Sequence, residues 1–189
     1  MAKTYSNMVA LDTKAPSFNL LSVNKKYINI EDVKKENGML VMFISNHCPF
    51  VIHYKKIFST LYATCKKYNI GMVAINSNDA TSYPEDSFDL MVEDSNNFAY
   101  QFEYLYDETQ EIAKKYQATC TPDIFLFDSE LKLKYRGQID DSRPSNDKKV
   151  RGRDLLDALS LLGEGKEISK KQIHSMGCNI KWKKGNEPK

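Results

Sequence analysis

The 189-residue sequence lacks any apolar run near the roughly 20 residues that a helix needs to cross a bilayer. Its N-terminus also lacks the basic-then-apolar pattern of a signal peptide. These absences predict a cytoplasmic protein with no membrane partner. No strong charge bias exists either: the formal net charge is +2, with 28% charged and 41% hydrophobic residues. This composition is that of an ordinary globular protein, so nucleic acid is not an expected partner.

Cysteine is scarce, and the four cysteines form no CxxC pair and no zinc-binding spacing. They are Cys48, Cys65, Cys120 and Cys178. In a reducing compartment such cysteines are expected to be catalytic or buried rather than part of a structural disulfide framework. The sequence therefore predicts no metal and no cofactor, and it directs attention to single thiols.

One of these thiols stands at a change of pattern. Residues 39–45 form a short apolar run that predicts a strand buried on both faces. Beyond Cys48 the apolar residues return with helical spacing, which predicts a helix from Pro49 to about Tyr68. Proline suits the first helical position, so Cys48 becomes the N-cap. Unpaired N–H groups and the helix dipole favour a thiolate there, and the sequence predicts a reactive cysteine.

The remaining pattern predicts one α/β domain, residues 1–165, followed by a lysine-rich tail, residues 166–189, which packs on the domain or extends from it. The predicted elements are a β-hairpin in 15–30, one helical turn at 32–36, a strand at 70–76, a helix from Pro84 into the nineties, a short strand at 104–106, a helix ending near Tyr116, a hairpin of strands 123–127 and 131–136, and a final helix around 155–162.

A second feature lies where Thr121-Pro122 directly precedes a buried strand. Proline cannot donate to a strand ladder, so it is tolerated only at a strand start or beside a special backbone feature. Since X–Pro is the only bond with a modest cis penalty, a cis Thr121–Pro122 bond is predicted.

Taken in order, these features resemble the thioredoxin fold over roughly Ala15 to Gly163. Val41-Met-Phe43 matches the central strand, His47 the residue before the motif, and Cys48 the first cysteine of CxxC. Val51 stands where the second cysteine would be, and Thr121-Pro122 matches the cis-proline pair. The resemblance implies a thioredoxin-like α/β fold with a central mixed β-sheet flanked by helices, an N-terminal β-hairpin and a C-terminal tail.

The N-terminal hairpin and the segment inserted between Asn76 and Thr109 look more like the redoxins, which include the alkyl-hydroperoxide-reductase and thiol-specific-antioxidant (AhpC/TSA) proteins. In their peroxidase loop, Ser45 matches the hydroxyl residue and Val41 replaces the proline. The chain resembles the peroxiredoxin-like group, with a single cysteine in the CxxC position, through Asn46-His-Cys-Pro-Phe-Val51, Asp107-Glu-Thr-Gln110, Cys120-Thr-Pro-Asp123, Tyr135-Arg-Gly, Ile139-Asp-Asp-Ser-Arg-Pro144 and Gly177-Cys-Asn-Ile-Lys-Trp182.

The resemblance implies a site in which Cys48 is the nucleophile and Thr121-Pro122 is the opposite wall. His47 either supports the thiolate or is a surface ring. Because Val51 cannot resolve a mixed disulfide, the resolving thiol is Cys120, Cys178 or an external thiol. Cys65 is expected in the core.

Other polar residues have plainer interpretations. His53 and the lysines of the first long helix, Lys55 among them, are expected on a solvated face. Arg136 and Arg143 are two of only four arginines, and an exposed hairpin and a loop are preferred for them over an anion site.

Three functions remain open at this point. The first is a thiol–disulfide oxidoreductase acting on a protein or small-molecule disulfide, with an external thiol as reductant. The second is an antioxidant peroxidase in which a hydroperoxide converts Cys48 to a sulfenic acid and Ser45 supplies a hydrogen bond. The third is a non-catalytic binding module that keeps the thioredoxin fold.

Overall fold

The computed structural model describes residues 3–188 as an α/β domain. Its elements are β1 (Lys3–Tyr5), β2 (Asn19–Ser22), β3 (Tyr27–Asn29), α1 (Ile30–Val33), β4 (Gly38–Phe43), α2 (Pro49–Tyr54), α3 (Phe58–Lys67), β5 (Ile70–Asn76), α4 (Phe88–Asn97), β6 (Glu103–Tyr106), α5 (Glu111–Tyr116), β7 (Cys120–Thr121), β8 (Asp123–Phe127), β9 (Leu133–Tyr135), α6 (Arg153–Gly163) and β10 (Met176–Asn179). Across these described residues, no helix combines the length and apolarity needed to span a membrane.

A mixed seven-stranded sheet in the order β3-β2-β6-β5-β4-β8-β9 forms the centre of the molecule. Strand β4 pairs in parallel with β5 and antiparallel with β8. A smaller antiparallel sheet in the order β1-β10-β7 lies beside it. The predicted fold class, a central mixed sheet flanked by helices, is confirmed.

The sheet separates two hydrophobic cores, and β4 serves both. Leu40 and Met42 lie in the core that contains residues of α2, α3 and α6. Met39, Val41 and Phe43 lie in the core that contains residues of α1 and α5. Since successive strand side chains point to opposite faces, a strand covered on both sides must be apolar at every position. This accounts for the uninterrupted apolar run of β4, which carries the chain to Cys48.

The helix predicted from Pro49 to Tyr68 is not continuous. A 3₁₀ turn, Lys55–Ile57, separates α2 from α3. Lys55, predicted to be solvated, is buried: its ammonium forms an ion pair with Asp94 of α4 and lies 4.7 Å from the ring centroid of Phe98. The expectation for Lys55 was wrong because its partners come from a helix distant in sequence.

Both predicted hairpins are present, with small shifts at their ends. Strands β2 and β3 pair antiparallel, as do β8 and β9. Helix α1 begins before the predicted Asp32 because Asn29 caps it. The Asn29 side chain accepts the N–H of Glu31 and Asp32, and the Asp32 carboxylate accepts the Asn29 N–H in return.

The exposed position predicted for Arg136 is wrong, whereas Arg143 lies in a loop, as predicted. Arg136 is fully buried, with Nη1 2.7 Å from Oδ1 of Asp123 and its guanidinium 4.1 Å from the ring centroid of Phe125. Arg143 donates to the Tyr54 hydroxyl at 3.1 Å and to the Gln138 amide oxygen, so it fastens its own loop. Both arginines have internal partners that single-sequence spacing cannot show.

The tail contributes to the same fold. Strand β10 lies between β1 and β7, and Cys178 and Ile180 belong to the two hydrophobic cores. Further on, the backbone N–H of Lys181 donates to Oδ1 of Asn78 at 2.8 Å. The segment after residue 165 therefore packs against the elements that precede it.

Leu61 tests whether α3 depends on core burial. Leu61 is fully buried, whereas Leu90 in α4 is 37% exposed. We expect Leu61→Ala to lower the free energy of unfolding by about 2–5 kcal/mol, because it removes buried methyl groups and leaves a cavity. Leu90→Ala, the same chemical change, is expected to cost less than about 1 kcal/mol. Denaturant unfolding under reducing conditions measures both, and equal losses would contradict this assignment of the core.

Candidate active site

Cys48 occupies the predicted turn between β4 and α2. It is the N-cap residue of α2, with Pro49 at the first helical position, as the sequence predicted. The apolar strand fixes where the turn begins, and proline fixes how the helix starts. The side chain points inward rather than to solvent, and the residue is 1% exposed. The turn therefore delivers a thiol into a buried space between elements.

The opposite wall of this space is the Thr121–Pro122 peptide. The bond is cis, which is the geometry predicted from the sequence. The Cys48 thiol donates to the backbone oxygen of Thr121 at a distance of 3.1 Å. Two segments 73 positions apart are thus in direct contact.

Cys178 completes the arrangement. Strand β10 pairs antiparallel with β7 so that Cys178 stands opposite Thr121. Its thiol forms a hydrogen bond with Cys48, and the backbone N–H of Phe50 lies against its sulfur. The structure therefore brings together Cys48, Thr121, Pro122 and Cys178, which the sequence had proposed as parts of one site.

The two thiols differ in ionisation. Burial disfavours the Cys48 thiolate, but hydrogen bonds from Cys178, from the Thr121 hydroxyl and from backbone N–H groups favour it and lower its pKa to about 6. Within the described residues the Thr121 hydroxyl makes no other hydrogen bond, so it is available to the Cys48 thiolate. The pKa of Cys178 is raised, first by its hydrogen bond to Cys48 and then by burial. Near neutral pH, Cys48 is the anion and Cys178 keeps its proton.

The other two cysteines lie outside this arrangement. Cys120 precedes Thr121 in β7, so its side chain takes the opposite face of the strand, where its thiol donates to the Pro122 oxygen at 3.5 Å. Burial and then Asp123 raise its pKa. Cys65 is in the core, and burial raises its pKa to about 12.

His47 lies next to Cys48 and carries a carboxylate partner. Its Nδ1 is 2.8 Å from Oδ2 of Asp86, a close ion pair rather than a well-aligned hydrogen bond. The imidazole is 17% exposed and stacks on Tyr83 with ring centroids 5.7 Å apart. Interaction with Asp86 raises the pKa of His47, and the Cys48 thiolate raises it further. The His47 imidazole is therefore more easily protonated than an isolated one, and it directly precedes Cys48 in the sequence.

Asp86 is a component that the sequence analysis missed. It is fully buried and accepts hydrogen bonds from the Asn46 N–H at 2.7 Å and from the side-chain amides of Asn78 at 2.7 Å and Asn76 at 3.3 Å. These bonds and His47 outweigh the cost of burial and lower its pKa. The sequence carried a signal for this cluster. Strands β4 and β5 are parallel, so their C-terminal ends lie at the same edge of the sheet, and the three asparagines follow β4 or lie at or after the end of β5.

Ser45 and His53 have different outcomes. Ser45 is buried, and its hydroxyl makes no hydrogen bond within the described residues; the bond that the peroxidase hypothesis assigns to it involves the Cys48 sulfenic acid and stays a prediction. His53, expected to be solvated, is half-buried with Nε2 2.7 Å from the Ser142 hydroxyl. Considering residues 3–188, no three His, Cys, Asp or Glu side chains are placed to hold a metal ion.

Comparison with known proteins now places this site in a family. The AhpC/TSA family matches residues 11–136, a range that includes Cys48 and Thr121–Pro122. The chain belongs to the AhpC/TSA family. Among curated proteins, none matches the sequence.

The chain is also similar to several solved structures. An uncharacterized conserved protein from Geobacillus kaustophilus is 47% identical over 97% of both chains, with a TM-score of 0.94. A hypothetical protein from Sinorhizobium meliloti 1021 is 40% identical over 95% of this chain and 98% of that one, with a TM-score of 0.92. The thioredoxin domain of a thiol-disulfide oxidoreductase from Bacteroides vulgatus is 16% identical over 68% of this chain and 91% of its own, with a TM-score of 0.57, and shows the shared fold.

This AhpC/TSA protein therefore has a thioredoxin-like fold. The part of its sequence that matches the family ends before the C-terminal tail. Strand β10 and Cys178 lie beyond residue 136, the last that the family matches. Cys48 and the Thr121–Pro122 peptide lie in the matched part, while Cys178 comes from the C-terminal strand.

Cys178→Ala tests the origin of the low Cys48 pKa. Losing the thiol donor should raise that pKa above the wild-type value of about 6, so less thiolate is present between about pH 6 and 7. Ultraviolet thiolate absorbance followed against pH measures this, with Cys48→Ser to assign the signal. Cys65→Ala is the matched control and should leave the transition unchanged. An unchanged transition in Cys178→Ala would contradict the hydrogen bond.

Asp86→Asn tests the pairing with His47. Removing the carboxylate should lower the raised His47 pKa toward the ordinary value of about 6.5. A raised folded-state pKa means that protonated His47 stabilises the fold, and this contribution is lost as pH rises through that pKa. NMR titration of the imidazole protons measures the shift. Asp89→Asn, an exposed change in the first turn of α4, should not move it, and an equal response in both variants would refute the pairing.

Proposed function

We propose that this protein is a thiol–disulfide oxidoreductase in which Cys48 is the nucleophile and Cys178 resolves the mixed disulfide. The observation that carries the proposal is the hydrogen bond between these two thiols beside Thr121–Pro122. A cysteine whose pKa lies near or below the ambient pH is largely thiolate and attacks disulfides readily. The Cys48 pKa of about 6 meets this requirement near neutral pH.

The reaction balances with two thiols and an external reductant. Cys48 thiolate attacks one sulfur of a disulfide, which forms a mixed disulfide and releases the other half as a thiolate. The Cys178 sulfur then attacks the Cys48 sulfur, and its proton passes to the departing thiolate. The products are a Cys48–Cys178 disulfide and two reduced halves of the substrate. Two external thiols then reduce the Cys48–Cys178 disulfide by two exchange steps and leave as their own disulfide, as the predicted cytoplasmic setting would allow.

His47 suits the role of proton donor in the first step. Asp86 raises the pKa of His47, which favours the protonated imidazole, and His47 directly precedes Cys48 in the sequence. A protonated neighbour both favours the thiolate and assists departure of the leaving thiolate.

Cys178 is favoured over Cys120 as the resolving residue. Cys178 shares a hydrogen bond with Cys48, whereas the Cys120 thiol donates to the Pro122 oxygen on the other face of β7. Val51, which occupies the place of a second motif cysteine, is buried and offers its backbone N–H to the Cys48 thiolate. The position that carries a thiol in CxxC proteins here supports the first thiolate instead.

A hydroperoxide is the second candidate oxidant. Its supports are the family and the 1% exposure of Cys48, which suits the smallest oxidants. Cys48 thiolate would take one peroxide oxygen as sulfenic acid, with a proton passing to the departing oxygen. Cys178 would then displace water to give the same disulfide. Brief peroxide treatment of Cys178→Ser followed by a sulfenate-specific label distinguishes this route from disulfide exchange.

The cysteine variants test the main proposal. After a small disulfide is added to reduced protein, the wild type should lose two hydrogens as Cys48 and Cys178 join. Cys178→Ser should instead keep the mixed disulfide on Cys48, because no second thiol is in reach. Intact-mass spectrometry with peptide mapping measures both outcomes. Cys65→Ala should behave as the wild type.

Three results would contradict parts of this mechanism. If Cys120→Ala accumulates the mixed disulfide while Cys178→Ser does not, the resolving residue is wrong. A sulfenate without any disulfide exchange would favour the peroxidase. A Cys48 that reacts with neither oxidant would leave a non-catalytic binding module.

A further inference from the structure

Strand β10 lies where the proposed function needs its substrate. An extended substrate that brings its disulfide to Cys48 would lie alongside the backbone of Thr121, next to Pro122, because this peptide faces the Cys48 sulfur. In the structure this place is taken by the chain itself: β10 pairs antiparallel with β7, with Cys178 opposite Thr121 and Asn179 opposite Cys120. The Cys178 thiol meets Cys48 as a substrate thiol would.

The fit between the two backbones leaves no space for another chain. Gly177 lies directly against the Thr121–Pro122 peptide, and a Cβ atom at this position would be 2.0 Å from the Thr121 oxygen and 3.1 Å from the Pro122 nitrogen. Only a residue without a side chain allows this approach. An extended polypeptide could pair with Thr121 only after β10 had moved away.

Contacts on both sides hold β10 in place. Before it, the Ser6 N–H donates to the Ser175 oxygen at 3.0 Å, and the Ser175 N–H donates to the Ser6 hydroxyl at 3.0 Å. After it, the Gln110 amide donates to the Lys181 oxygen and accepts from the Lys183 N–H, both at 2.8 Å. With β1 on one side and β7 on the other, the strand has no exposed ladder edge.

We propose that β10 is a built-in occupant of the substrate-strand position, which restricts Cys48 to disulfides of low molecular weight and excludes those in extended polypeptides. This inference rests on the proposed function. A small disulfide needs only local side-chain motion to reach the Cys48 sulfur, whereas a polypeptide needs the whole strand position. The redox step is the one given above: the small disulfide is reduced to two thiols, and Cys48 and Cys178 are oxidised to a disulfide.

The experiment compares two probes on the reduced full-length protein. One is 2-hydroxyethyl disulfide, and the other is a disulfide-linked dimer of an extended peptide of about ten residues with a central cysteine. Rapid quenching and intact-mass analysis give the rate of Cys48 oxidation by each probe. We expect the small disulfide to react at least about 100-fold faster, because the peptide must first displace a paired strand.

Glycine variants provide the matched comparison. Gly177→Ala places a methyl group against Thr121 and should raise the peptide rate relative to the small-disulfide rate by at least about tenfold. Gly165→Ala, whose new Cβ would meet no atom within 4 Å, should leave this ratio unchanged. Gln110→Ala removes the contacts after β10 without touching the site, and it should shift the ratio in the same direction even if Gly177→Ala folds poorly.

Two failures are distinguishable. Equal reaction of the wild type with both probes, or a ratio unmoved by both Gly177→Ala and Gln110→Ala, would overturn the occupancy of the substrate position by β10 and leave the proposed function intact. No reaction of Cys48 with the small disulfide would overturn the proposed function, and this inference with it.

Discussion

The pairing of β10 with the two residues before Pro122 is the contact on which the candidate site depends. It sets the Cys178 thiol against Cys48, closes the space around the Cys48 sulfur and supplies a backbone N–H to the thiolate. Each of these effects requires close approach of two backbones, which Gly177 permits. The turn after β4 would still present a cysteine without this strand, but that cysteine would have no second thiol beside it.

The candidate site contains two pairs of interacting groups, Cys48 with Cys178 and His47 with Asp86, and each pair shifts the pKa values of its members. On the sulfur side, two thiols share a hydrogen bond, so one ionises more easily while the other retains its proton. On the histidine side, a buried carboxylate that accepts several amide hydrogen bonds raises the pKa of the imidazole. A Cys48 thiolate also raises the pKa of His47, so the two ionisations favour each other.

Much of the fold could be predicted from the sequence, because the spacing of hydrophobic residues follows directly from which faces of a strand or helix are buried. Strand β5 was predicted with its observed limits, and the apolar run of β4 led to the turn that holds Cys48. The positions of Cys48 and of the cis Thr121–Pro122 bond followed from proline chemistry. The spacing of residues along the chain could not predict ion pairs between separate elements. Examples are Lys55 with Asp94, Arg136 with Asp123 and His47 with Asp86. Which cysteine lies beside Cys48 stayed open for the same reason: only the register of β10 on β7 distinguishes Cys178 from Cys120.

The distance in sequence between the two thiols of the candidate site also matters for the unfolded chain. A Cys48–Cys178 disulfide would close a loop of roughly 130 residues, and cross-links across loops of this size restrict the unfolded ensemble by on the order of 4 to 5 kcal/mol. Such a bond would join α2 to the C-terminal strand across a contact that the reduced protein already makes, so little rearrangement would be required. Oxidation would then change how firmly the molecule resists unfolding as well as what it can react with, and a cell could distinguish the two redox forms by their lifetimes.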